Sequence, residues 1–176
     1  INKVEDLAGL KLRVIPNPIN VDWVKALGAN PTPLPFPEVY GALEQNAIDG
    51  QENPVTVIAA NKLYEVQKHL VISNHQYNPQ SVLISKKFWD GLTPEQKKIV
   101  ADAAKESAKF QRQQARGAVA SAMDAIKKGG TQVTQLAPAE MDKMRDKMRP
   151  VTAKYAVQVG QETVQELQAE LAKVRK

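Results

Sequence analysis

The chain has 176 residues, 24 Lys and Arg against 19 Asp and Glu, 43% apolar residues and no cysteine. That supplies apolar material for one sizeable core, while no apolar run approaches the roughly 20 residues that cross a bilayer. The lack of cysteine excludes disulfide frameworks, cysteine-ligated zinc and thiol nucleophiles, and leaves the redox compartment open.

The first ten residues, INKVEDLAGL, have neither the basic nor the apolar region of a signal peptide, so an exported protein would be represented here by a mature form or a fragment. Leu10 to Ile15, LKLRVI, is a strand candidate stopped by Pro16. Its alternation sets Leu10, Leu12 and Val14 against Lys11, Arg13 and Ile15. Asn20 or Asp22 is expected to start a helix that Gly28 ends. The proline-rich NPTPLPFP (30–37) must be extended, and Pro37 suits the first turn of a helix through EVYGALEQ. AIDGQ (47–51) is the next predicted strand, Pro54 opens a helix through VTVIAANKL, and LVIS (70–73) and SVLIS (81–85) are further strands. Strand and helix alternating at this pitch predict an α/β lobe.

The second half is predicted to be mostly helical. Thr93-Pro94-Glu95-Gln96 is a capping box with proline at the first helical position. It opens a helix to Lys128 that Gly129-Gly130 ends, with Gly117 its one weak point. At roughly 35 residues it would be about 50 Å long, too long for one small lobe to cover, and is expected to run along two. TQVTQL (131–136) follows as a strand, then PAEMDKMRDKM, VTAKYAVQV and QETVQELQAELAKVRK as three helices.

The net charge of +5 is spread over interleaved signs, as in KKIVADAAKESAK, which marks solvated helix faces; no nucleic-acid partner is expected. Catalytic motifs are missing. His69 and His75 form no HExxH pair and no recognisable triad, and neither GxGxxG nor GxxxxGK[ST] occurs. No catalytic residue, metal ligand or cofactor is assigned. Asp49 and Glu52 could serve with His75 in an enzyme acting on an organic acid, yet acidic residues before a helix are also ordinary partners of its dipole.

Two polar residues stand where ligands collect, outside the carboxyl ends of strands. Arg13 offers a planar fork for a carboxylate, or it is a solvated residue on an edge strand. Asn53 precedes Pro54 and either caps the following helix or offers its amide to a ligand oxygen. Spacing alone leaves both pairs of alternatives open.

The runs LAGLKLRVIPNP, KALGANPTPLPFPEVYGALEQNAIDGQENP and KLYEVQKHLVISNHQYNPQSVLISKKFWDGLTPEQKKIV resemble the periplasmic solute-binding subunit of tripartite ATP-independent periplasmic (TRAP) transporters, in its dicarboxylate- and sialic-acid-binding branch. The resemblance is strong through about residue 110 and looser beyond. It implies a two-lobed α/β periplasmic binding protein of Venus-flytrap type that closes on a small organic acid and passes it to small and large integral membrane subunits. The family's carboxylate-clamping arginine falls on Arg13, its ligand-binding asparagine on Asn53 and its aromatic contact on Phe36. Asn17 and Glu52 match positions that contact ligand in some members, and Tyr77 is a further pocket candidate. Residues 1–78 and 119–176 would form mainly the second lobe, and 79–118 would contribute to the first lobe and start the interlobe helix of about 94–128. Members are roughly twice as long, so the chain is read as a C-terminal portion whose missing part, with a second ligand-binding arginine, precedes Ile1.

Overall fold

Residues 11–14, between Gly9 and Pro16, carry the alternating leucine and valine of a strand with one face on a core. The computed structural model describes residues 1–174. After a 3-10 turn at Val4–Leu7, β1 (Lys11–Val14) lies between β2 (Asn30–Pro33) and β3 (Gly50–Gln51) in a parallel sheet of order β2-β1-β3. Three short helices connect or follow these strands: α1 (Pro18–Ala26), α2 (Val39–Glu44) and α3 (Val55–Ala60). A second parallel sheet pairs β4 (His69–Ile72) with β5 (Gln132–Gln135). Between them run α4 (Lys86–Asp90) and the 35-residue α5 (Pro94–Lys128), and α6 (Pro138–Val159) and α7 (Gln161–Val174) complete the described chain.

Two apolar clusters hold these elements. One joins Val14 of β1 to Trp23, Val24 and Leu27 at α1, to Leu136 just past β5 and to Met144 of α6. The other joins Val39 and Leu43 of α2, Ile58 of α3, Leu63 and Ile126 near the end of α5. Leu10 and Leu12 pack with Val14 on the first cluster, as the alternation of the strand requires. A cavity of about 770 Å³ lies against both β3 and β4, and among the described residues no ladder bond joins the two sheets across it. No described helix is long and apolar enough to cross a membrane.

Several expectations need correction. Helix α1 starts at Pro18, not at Asn20 or Asp22: Asn17 accepts a hydrogen bond from Ile19 N at 3.0 Å, and Pro18 sits where its missing N–H costs nothing. Gly28, with φ of +87°, does end the segment. The strand expected over 47–51 shrinks to Gly50–Gln51, because Ala47 N and Ile48 N both donate back to Ala42 O as the chain leaves α2. Residues 81–85 are no strand; they are exposed, Leu83 to 89%, with no neighbouring strand edge to pair with. Pro150 does not separate two helices. It sits inside α6, whose Met141, Met148 and Val151 pack on the first cluster on both sides of it, and this packing carries the helix past the lost backbone bond. Arg175 and Lys176, the end of the last predicted helix, lie outside the described residues.

Candidate carboxylate site

Because β1 is the central strand of its sheet, Arg13 has a neighbour on each side, Thr32 in β2 and Gln51 in β3. It is only 2% exposed, which removes the solvated-edge alternative. Its Nε donates to Leu34 O at 2.8 Å, and Leu34 N donates in turn to Val14 O, so the segment leaving β2 is folded back over the end of β1. The guanidinium carbon lies 5.9 Å from the centroid of the Phe36 ring, within cation–π range. Phe36 opens a 3-10 turn with Pro35 before it and Pro37 after it, and these prolines limit the backbone that carries the ring.

The Nη groups of Arg13 hydrogen-bond to none of the described residues, and neither is sealed from solvent. Burial lowers the Arg13 pKa from its ordinary value while the nearby Glu52 carboxylate raises it; a guanidinium in this setting remains a cation. The result is a fixed, largely desolvated fork aimed out of the carboxyl end of a parallel sheet. That geometry suits a carboxylate, which two parallel N–H bonds can hold.

The third strand end carries the DGQENP turn. Asp49 Oδ2 accepts from Lys11 N at 2.7 Å and Asp49 N donates to Lys11 O at 2.9 Å, so Asp49 joins the two strands. Asn53 Nδ2 donates to Gln51 Oε1 at 2.7 Å. The capping alternative for Asn53 fails: Pro54 is the N-cap of α3, its carbonyl takes the first intrahelical bonds, and no side chain among the described residues caps the helix. Glu52 Oε2 lies 3.6 Å from His75 Nε2, and His75 Nδ1 is 2.7 Å from Ser73 Oγ with its ring 5.1 Å from that of Trp23.

Arg13, Phe36, Glu52 and Asn53 are therefore grouped at one end of one sheet, with Gln51 linking Asn53 to the strand beside Arg13. Asn17 follows the same end of β1, its Oδ1 spent on capping α1. Tyr77 is 90% exposed and lines a second cavity of about 570 Å³, beside Met148 of α6, which shares Trp23, Ser73 and His75 with the cavity that Glu52 and Asn53 line. Gln51, Ser73 and Trp23 escaped the sequence reading. Gln51 was the findable one, since a parallel register places it opposite Arg13. The enzymatic alternative loses Asp49 to the strand junction and leaves His75 facing Glu52 beyond hydrogen-bond distance. Among the described residues, no three His, Asp or Glu side chains converge to hold a metal ion.

Residues 1–158 match the family model of the bacterial extracellular solute-binding proteins, family 7. The chain belongs to this family. It is 37% identical over 169 residues to the sialic acid-binding periplasmic protein SiaP of Vibrio cholerae, which covers 96% of this chain and 52% of that protein. A crystal structure of a TRAP periplasmic solute-binding protein from Ochrobactrum anthropi superposes with a TM-score of 0.90 at 51% identity, covering 99% of this chain and 55% of that one. The sugar acid-binding protein of Advenella mimigardefordensis, in complex with galactonate, gives a TM-score of 0.91 at 38% identity over 99% of this chain and 56% of its own. The family 7 chain described here thus spans about half the length of these relatives, and it has the α/β fold of two-lobed binding proteins. Family 7 proteins bind solutes for transporters and are not enzymes.

Proposed function

We propose that this chain is the carboxylate-gripping part of a periplasmic solute-binding protein that captures a small organic acid and delivers it to the small and large membrane subunits of a TRAP transporter. The observation that carries the proposal is the buried Arg13, whose fork has no partner among the described residues at the carboxyl ends of three parallel strands. In this reading Arg13 takes the carboxylate, Phe36 covers the guanidinium face, and Asn53 and Glu52 contact the rest of the ligand, with Asn17 at the rim and Tyr77 on the connecting segment. Residues 1–78 and 119–176 belong to one lobe, and residues 79–118 reach into the other. That division is supported by the absence of any buried residue between Leu63 and Ala122. Closure of the lobes removes water, and the ion pair at Arg13 then counts for more than it does at an exposed site.

The test is calorimetric titration of the full-length protein with an organic-acid panel, with Arg13→Ala alongside. Saturable binding of one or more acids, lost in the variant while its thermal unfolding stays cooperative, is the expected result. Equal affinity in the two proteins would remove Arg13 from the site.

A further inference from the structure

Glu52 is a carboxylate set close to a buried arginine and short of donors. Its side chain is 14% exposed, and no hydrogen bond from the described residues reaches either oxygen. The nearest basic group, His75 Nε2 at 3.6 Å, is beyond hydrogen-bond distance, and Ser73 and Trp23 hold that ring in place. Chain geometry puts this acceptor at the same strand ends as the cation, since Gln51 lies opposite Arg13 and Glu52 is the next residue. A ligand whose carboxylate fills the Arg13 fork presents its remaining groups to a half-shielded negative charge. A second carboxylate there meets like charge with little water between them. A hydroxyl donates into lone pairs that none of the described residues uses.

We infer that Glu52 selects hydroxylated monocarboxylates over dicarboxylates of the same carbon skeleton, an inference that rests on the carboxylate reading of Arg13. The deciding experiment is titration calorimetry of the full-length protein near neutral pH with two matched pairs. D-Erythronate is set against meso-tartrate and D-galactonate against galactarate; within each pair only a terminal CH₂OH is exchanged for a carboxylate. In whichever pair binds, the monoacid should be tighter by about tenfold or more, and Glu52→Gln should narrow the ratio to about threefold, chiefly by strengthening the diacid. Glu52→Asp, which keeps the charge, should keep the discrimination, an outcome that a purely structural role for the side chain would not produce. A wild-type protein that binds the diacid as tightly as the monoacid, or a ratio unmoved by Glu52→Gln, overturns the inference. Arg13→Ala separates this failure from failure of the underlying reading. Loss of both members of a pair in that variant upholds the arginine clamp whatever the ratio does, and binding that survives it sinks clamp and selection together. No heat from any of the four acids in the wild-type protein counts against both.

Discussion

At the residue scale, Arg13 combines a fixed charge with a fixed direction. Nε is committed to Leu34 O, and the ring of Phe36 lies against the guanidinium, so the free part of the fork has few orientations to lose when an anion arrives. Arg13→Ala in the full-length protein should weaken acid binding by about 2 kcal/mol or more, the range for charge-assisted pairs shielded from water. Arg13→Lys keeps the charge and loses the bond to Leu34 and the planar fork, so it should recover only a minor part of that affinity. Both changes are read by calorimetry against the same acid. The sequence showed Arg13 as a candidate because a planar, always-charged fork stands near the carboxyl end of a predicted strand, where ligands collect. It did not show that β1 is central rather than an edge, because order within a sheet depends on partners far along the chain. Asn53 had the opposite fate: the residue before a proline is a good local cap, but here the cap position falls on Pro54, and the amide turns to Gln51 instead.

At the scale of elements, the signals that proved readable were local ones. The Thr93 capping box appears as drawn, with Gln96 N donating to Thr93 Oγ1 and Thr93 N to Gln96 Oε1, and Gly129-Gly130 ends α5 as expected. The signals that misled needed knowledge of neighbours: residues 81–85 have strand composition without a strand beside them, and Pro150 has a breaking residue's chemistry inside a packed helix. Two predictions belong here. Gly129 sits so close to Tyr64 that an added Cβ would lie 2.5 Å from its Cδ2; Gly129→Ala should therefore destabilise the fold by about 1–3 kcal/mol in chemical unfolding. Helix α6 is fastened to α1 where Lys154 Nζ and Tyr155 Oη donate to Asp22 Oδ2 at 2.6 and 2.8 Å. These bonds hold the Asp22 carboxyl below its usual value of 3.8, and the bond to Asp22 raises Lys154. A carboxyl depressed on folding stabilises above its unfolded pKa and loses that contribution as pH falls through the native value; a raised lysine loses its contribution only in strong base. Asp22→Asn should thus lower the melting temperature at pH 7, and the gap to wild type should close as pH falls from the ordinary aspartate value of 3.8 through the lowered native one.

At the scale of the molecule, the uneven distribution of burial is the main finding. No residue between Leu63 and Ala122 is buried, although the stretch contains exposed Leu83, Phe88, Ile99 and Phe110. Ile99 and Phe110 are about three helical turns apart and so lie on one face of α5. The two-lobed reading proposed above supplies a cover for this face in the full-length protein. Hydrogen exchange gives the check: amides of 94–118 should exchange quickly in the isolated 176-residue chain and slowly in the full-length protein, whereas 119–128 should be protected in both. Equal rates in the two proteins for 94–118 would reject the interlobe assignment. The length of α5 also bears on how the second sheet assembles. Strands β4 and β5 pair across roughly sixty residues of chain, the kind of non-local parallel contact that forms slowly. Local helix forms within about a microsecond, but α5 has an uncovered face over 94–118, so only its last turns, where Ile126 joins Leu63 in the second cluster, are expected to be firm when β5 reaches β4. Packing of Ile126 and alignment of β5 on β4 are then expected as a single late event, in which the lobe acquires its second core in one step rather than strand by strand.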